Sequence, residues 1–278
     1  MNVFIQMIIV TVCYTATSLS DKYTISSARL SHNEFTFIMC SSMSFFLAIS
    51  LPFQEIYFTF SWQSLTAILL MSLCKIGEFQ MSALVLKYLS AFELKAWLGI
   101  SLFISYFTDV IFGTALHISK LAFLLLTALG LVLIVYSSEK DKVNYKKLAL
   151  PLILYILSKY GYGLIVKSFS AYISPIMQLL PAMILISVVL LLKVSTKEMI
   201  KKNSKDVLIM ILMRIPNTLG MLLENMVIKI SLTDYSLIQP MILIVLFLIS
   251  LIYRENHSRQ NLLGSIFCAT GIVIFQLM

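Results

Sequence analysis

Apolar residues do not alternate with polar ones along this chain. They run in ten stretches, near residues 3–20, 34–53, 64–87, 93–113, 119–138, 147–168, 174–193, 206–230, 234–253 and 261–277. About 20 apolar residues are needed to cross about 30 Å of hydrocarbon at 1.5 Å per residue, so each stretch predicts one membrane-spanning helix. The charged run Glu139 to Lys147 divides them five and five. The expected fold is an all-α integral membrane bundle of ten transmembrane helices, with a first repeat over 1–138, a charged linker over 139–146 and a second repeat over 147–278. Five crossings are odd in number, so a duplicated unit would lie in the opposite orientation to its copy, as an inverted repeat.

Faint internal likeness supports duplication. Ala128 and Gly130 match Ala269 and Gly271 at one constant offset, Lys87 matches Lys229 with a one-residue slip, and Lys22 and Lys167 close the first and sixth stretches alike. Pro52, Pro151 and Pro175 fall near predicted helix ends. Pro181, Pro216 and Pro240 fall inside predicted spans, where a missing N–H should kink or open the helix.

Composition agrees with the pattern. With 59% hydrophobic and 12% charged residues and a mean hydropathy of +0.93, 278 residues could not hide their apolar surface in a soluble fold. The start of the chain lacks a basic region and a good cleavage site, which favours a retained first helix over a signal peptide. Cys13, Cys40, Cys74 and Cys268 lie scattered within apolar stretches, the pattern of small core residues rather than of a disulfide or metal framework.

Loop charge predicts orientation. Lys22, Arg29, Lys87, Lys140, Lys142, Lys146, Lys147, Lys193, Lys197, Lys201, Lys202, Lys205, Arg254 and Arg259 follow odd-numbered stretches, whereas Lys120, Lys167 and Lys229 follow even-numbered ones. The positive-inside rule puts the odd loops in the cytoplasm and both termini outside, in a bacterial cytoplasmic membrane. The net charge of +8 is accounted for by this bias and by attraction to anionic lipid headgroups, and gives no argument for nucleic acid.

Tyr253-Arg254-Glu255, then Gln260 to Gly264 and on to Gly271, together with Thr233 to Pro240 and Ala83 to Ala91, form short motifs spread over the chain. They resemble the final hairpin, the entry to the ninth helix and the junction of the third and fourth helices in the ten-helix, EamA-like branch of the drug/metabolite transporter superfamily. The chain differs from that pattern at Thr114, where a glutamate would stand, and near Trp97, where a proline is usual. The resemblance implies a secondary transporter with substrate near the midplane, and amino acids or related zwitterions as the leading substrate class.

An ionisable residue at the bilayer centre costs at least about 2.5 to 3.5 kcal/mol on insertion scales, so such residues are functional candidates. They are Lys75 and Glu78 in the third stretch, Asp109 in the fourth, Lys159 in the sixth, and Arg214 and Glu224 in the eighth. Lys75 and Glu78 are neighbours on one helical face, and Asn217 shares a face with Glu224 two turns on. Two readings stay open for these groups: structural ion pairing, and contact with a zwitterion whose carboxylate meets a cation and whose ammonium meets Glu78 or Glu224. Either glutamate could also take up a proton and couple transport to it. Tyr14, Trp97 and Tyr162, with Tyr155 and Tyr160, could wall a cavity and favour an organic cation, and Gln178 and Gln239 are further polar candidates. Thr11, Thr15 and Ser18 form a stripe of the kind that commonly serves close helix packing.

No catalytic constellation is legible, because His32, His117 and His257 all fall at loops or helix ends and no phosphate cradle occurs. The expectation is a non-enzymatic secondary transporter of a small polar metabolite with no cofactor and no bound metal. Its expected partners are a small-molecule substrate and membrane lipid, with a homodimer left open and no nucleic acid. The alternatives are an organic-cation or drug efflux transporter, and a non-transporting accessory membrane protein of a lipid or polysaccharide pathway.

Overall fold

The structure is a computed structural model that describes residues 2–27, 30–89, 91–99, 101–137, 145–252 and 259–278. Within them the chain forms α1 (Val3–Ser27), α2 (His32–Ser50), a 3-10 turn (Leu51–Phe53), α3 (Trp62–Val85), α4 (Ala91–Leu98), α5 (Ser101–Ile111), α6 (Ile118–Ser137), α7 (Tyr145–Phe169), α8 (Pro175–Leu191), α9 (Thr196–Leu212), α10 (Arg214–Ile230), α11 (Leu232–Ile252) and α12 (Arg259–Leu277). No strand forms among the described residues. Most of the charged linker, residues 139–144, and the Tyr253-Arg254-Glu255 motif lie outside them.

Six helical segments are long and apolar enough to cross a bilayer: Val3–Ile25, His32–Phe53, Trp62–Val85, Lys147–Phe169, Ser204–Ile230 and Leu232–Ile249. Four shorter apolar helices, Ser101–Ile111, Ile118–Leu133, Pro175–Leu191 and Leu262–Phe275, accompany them. The molecule has the polarity of a membrane protein, apolar outside and charged within. Leu192 and Ile111 are 88% and 83% exposed, while Lys75, Arg214 and Glu224 are fully buried. Such a surface suits lipid, and water would drive it to aggregate.

Three sequence expectations need correction. The first helix does not stop near residue 20 but runs on to Ser27, because Asp21 and Lys22 on its buried side find partners within the bundle. The fourth stretch is two helices, α4 and α5, separated at Gly99, a residue that gives helix little support. The eighth is also divided: α9 begins earlier than expected, at Thr196, and ends at Leu212, and α10 resumes after Met213. Pro216 explains that joint, since its ring crowds the carbonyl four residues back and it offers no N–H to it. Pro181 and Pro240, by contrast, lie inside helices that continue through them.

Helix starts follow local chemistry. Ser31 caps α2 in a reciprocal box, its Oγ accepting from the Glu34 N–H at 3.2 Å while its own N–H donates to the Glu34 carboxylate at 2.7 Å. Ser61 caps α3 by accepting from the Ser64 N–H at 3.3 Å.

The main helix neighbours are α6 with α12, α3 with α7, α1 with α10, α2 with α8, α3 with α8, α1 with α11, and α5 with α11. The α6–α12 contact is close because glycine faces backbone on both sides. A Cβ added to Gly130 would stand 2.5 Å from the Gly264 carbonyl and 2.8 Å from the Cys268 N–H, and one added to Gly271 would stand 2.8 Å from the Phe123 carbonyl and 3.0 Å from the Thr127 N–H. These contacts are reciprocal. The 141-residue step from Thr127 to Cys268 also carries Phe123 to Gly264 and Gly130 to Gly271, so each helix meets the other through equivalent positions. The cysteines pack as small residues, Cys13, Cys40 and Cys268 buried and Cys74 half-buried.

Candidate functional site

α1, α3, α7 and α10 converge on a chain of alternating charges near mid-bundle. At 1.5 Å per residue Tyr14 lies about 16 Å along α1 from Val3 and about 20 Å from Ser27. Lys75 and Glu78 share a face of α3 as their three-residue spacing requires, and Lys75 Nζ donates to Glu78 Oε2 at 2.8 Å. The other Glu78 oxygen meets Lys159 Nζ of α7 at 3.3 Å. Lys159 also reaches Glu224 Oε1 of α10 at 3.2 Å, and Tyr14 OH of α1 donates to Glu224 Oε2 at 2.5 Å. One ammonium thus joins carboxylates from two different helices. Two lysines and two glutamates balance in charge, and their alternation is what makes burial in a low dielectric tolerable.

An aromatic wall backs this chain. Tyr162 lies face-on to Lys75, whose Nζ is 3.7 Å from the ring centroid, and Lys159 lies 5.3 Å from both the Tyr14 and Tyr162 rings. Tyr162 OH donates to Asn225 Oδ1, and Tyr235 OH donates to the Lys159 carbonyl at 2.7 Å. Ring faces turned to ammonium groups add attraction without adding charge.

A cavity of about 70 Å³ reaches this chain, room enough for several waters or a small solute. Tyr14, Glu78, Lys159, Arg214 and Asn217 line it together with Thr17, Ser18, Asp21, Ser82, Lys95 and Tyr155, and Met39, Phe79, Leu86, Leu94 and Met221 complete its wall. Most of the polar lining lies toward the end of the bundle where α1 and α3 finish and α7 begins. Among the described basic residues, Lys22 near the end of α1, Lys87 just past α3 and Lys147 near the start of α7 belong to that end. Arg214, at the start of α10, donates through Nη2 to Asp21 and through Nε to the Met210 carbonyl at 3.1 Å, so the α9–α10 joint holds a guanidinium against the cavity. Asn217, one turn on, donates to Met43 Sδ at 3.4 Å.

Hydrogen bonds tie the connections at the opposite end to one another. Ser174 N–H donates to the Tyr57 carbonyl at 2.9 Å and Thr59 N–H to the Tyr172 carbonyl at 3.0 Å, an antiparallel bridge between the α2–α3 and α7–α8 connections. Asp109, at the end of α5, accepts from the N–H groups of Leu232 and Thr233 at 3.0 and 2.8 Å and from the Thr233 and Ser231 hydroxyls at 2.8 and 2.9 Å. It also pairs with Lys167 at 2.5 Å. Ser231 is the N-cap of α11, its Oγ accepting from the Asp234 N–H at 3.0 Å, and Asp109 adds a capping acceptor from another helix for the Leu232 and Thr233 N–H groups, placing negative charge at the positive end of α11.

Of the sequence candidates, the structure brings Tyr14, Glu78, Lys159, Arg214 and Asn217 to the cavity, and Lys75, Tyr162 and Glu224 to the layer beneath it. Three do not join them. Trp97 packs half-buried against the hydrophobic core, Gln178 is buried at the start of α8 and donates to the Ile173 carbonyl at 3.2 Å, and Gln239 is buried within α11. Thr11 and Thr15 donate to carbonyls one turn back, at 2.7 Å each, the usual way a buried hydroxyl is satisfied inside a helix. Sequence reasoning missed Asp21 and Lys95. Asp21 fell just past the predicted end of the first helix, and Lys95, inside the fourth stretch, carried the same signal as the ionisable residues singled out. No protein-family model matches this chain, and no curated protein matches it.

Proposed function

We propose that this protein is a secondary transporter of the cytoplasmic membrane that moves a small polar metabolite by alternating access. In this reading the six long and four shorter apolar helices make ten spans in two inverted five-helix repeats, as in the EamA-like branch of the drug/metabolite transporters that the sequence resembles. The neighbour pattern supports it. Exchanging the first five spans with the second five turns the α3–α7 contact into α10–α1 and the α3–α8 contact into α10–α2, leaves α2–α8, α5–α11 and α6–α12 unchanged, and matches the reciprocal glycine contacts, whereas the α1–α11 contact has only a weaker counterpart between α7 and the α4–α5 pair.

The observation that carries the reading is the unbroken run Lys75, Glu78, Lys159, Glu224, Tyr14, bordering a polar cavity that leads to it from one end while the connections at the other end are hydrogen-bonded to one another. A polar lining that deep costs stability, and ionisable groups within membrane spans mark solute pathways. With the cavity end cytoplasmic, as the loop charge proposes, this arrangement would be the inward-facing state of the cycle. Lys159 is the natural element of the switch, because it touches α3 of one repeat and α10 of the other.

In a cysteine-free background, Ser18→Cys is expected to react with a membrane-impermeant thiol reagent from the Lys/Arg-rich face and to be shielded from the other. Equal protection from both faces would favour a sealed accessory protein. A proton added to Glu78 or Glu224 would break its pair with Lys159 and so couple proton movement to the switch. If Glu78→Gln and Glu224→Gln both leave pH-dependent uptake by proteoliposomes unchanged, that coupling is absent.

A further inference from the structure

Charge around the cavity does not balance. Taken with Lys75 and Glu224 beneath it, the cations Lys75, Lys95, Lys159 and Arg214 face the anions Asp21, Glu78 and Glu224 among the described residues. The lower layer is neutral, since Glu78 holds Lys75 and Lys159 while Glu224 holds Lys159 and the Tyr14 hydroxyl. The excess lies in the cavity wall. Asp21 is engaged by Arg214 Nη2, and among the described residues Lys95 makes no ion pair or hydrogen bond and the buried Arg214 Nη1 finds no hydrogen-bond partner. An unmatched cation on the cavity wall, and an unsatisfied guanidinium nitrogen in another residue that lines it, are both costly in a low dielectric. A single ligand group that is anionic and accepts hydrogen bonds would satisfy both.

We propose that the cavity takes a small organic acid bearing one net negative charge, its carboxylate meeting Arg214 Nη1 and Lys95 and its apolar part lying against Phe79, Leu94 and Met221. This inference rests on the transporter reading for its biological sense and narrows its substrate class. A zwitterion would carry its own compensating cation and leave the excess in place, and an organic cation would add to it. The apolar residues of the wall favour an organic acid over an inorganic anion, which has nothing to bury against them. The size of the cavity restricts the acid to a short one.

Full-length protein purified in mild detergent at constant ionic strength would be melted with straight-chain monocarboxylates from acetate to hexanoate, the matching 2-amino acids, the matching amines, and chloride. At least one monocarboxylate is expected to raise the melting temperature in a saturable way, with the amino acid and amine of the same length weaker. Lys95→Gln removes the charge of a half-buried side chain with no bonded partner among the described residues, so it should fold. It is expected to weaken binding about 10- to 100-fold, the value of one hydrogen bond to a charged group, while leaving or raising the melting temperature without ligand. Stabilisation by 2-amino acids or amines equal to that by the acids would overturn the proposal, as would a response to chloride alone, no response to any acid, or a Lys95→Gln protein that binds as the parent does. Saturable binding without uptake into proteoliposomes would remove the transporter reading and leave the site. Uptake of a zwitterion with no monocarboxylate binding would do the reverse.

Discussion

Replacing Lys159 by methionine is expected to destabilise the protein more than any other single change at mid-bundle, by about 3–5 kcal/mol, the usual cost of leaving buried charges without their partner. The side chains are close in length, so little cavity forms and the loss is electrostatic. Glu78 and Glu224 approach the same ammonium at 3.3 and 3.2 Å, so the substitution leaves two neighbouring carboxylates of like charge. Glu78 keeps Lys75 at 2.8 Å, but Glu224, with no exposed surface, keeps only the Tyr14 hydroxyl among the partners described. The decisive comparison is with Lys159→Met/Glu224→Gln. Removing the stranded charge should recover much of the lost stability, so the double variant should unfold at a higher temperature than the single one. Additive losses would mean that the two groups are not coupled. Transport should respond more steeply than stability. If Lys159 ties the two halves together in the inward-facing state, losing about 3 kcal/mol from that state alone would change the ratio of two conformations more than a hundredfold. Uptake should then fail in the double variant as well, although it is folded.

Much of this site was legible in sequence as a set of residue types and little of it as an arrangement. The cost of charge in lipid singled out Lys75, Glu78, Lys159, Arg214 and Glu224, and helical spacing alone gave the Lys75–Glu78 pair, because neighbours three apart on a helix meet whatever else the chain does. The partnership of Lys159 with Glu78 and Glu224 depends on the relative depth and rotation of α3, α7 and α10, which a hydropathy pattern does not contain. The same gap explains Trp97, Gln178 and Gln239, whose sequence surroundings resemble those of the site residues while none of them lines the cavity. Asp21 was lost for a different reason. The apolar periodicity fades before the helix does, and α1 continues to Ser27 because Arg214 and the Leu86 and Leu89 carbonyls receive Asp21 and Lys22. Asp109 was recognised as a buried charge, but its role as a cap for α11 required knowing that the end of α5 and the start of α11 lie side by side.

That cap gives the second large expected effect. Asp109→Asn keeps the shape of the side chain, removes the charge paired with Lys167, and presents an amide whose nitrogen cannot accept from any of the five donors around Asp109. Buried donors left without an acceptor cost about 1–3 kcal/mol each and do not add fully, so a loss of at least about 2 kcal/mol is expected, seen as a lower melting temperature in detergent. A change confined to folding would stop there. If Asp109 also holds the outer end closed, the substitution should shift the conformational balance toward an outward-facing state. Ser105, one turn before Asp109 on α5, is fully buried and bonded to Ser236, so it reports on that end without lying in the cavity. In a cysteine-free background Ser105→Cys should resist an impermeant thiol reagent from both faces. Adding Asp109→Asn should make it reactive from the outer face, while Ser18→Cys should lose reactivity from the Lys/Arg-rich face, because opening one end requires closing the other. Opposed changes at the two cysteines are the signature of alternating access. A parallel rise at both would mean that Asp109 only holds the bundle together, and the gate would then have to be sought in the Tyr57–Ser174 bridge.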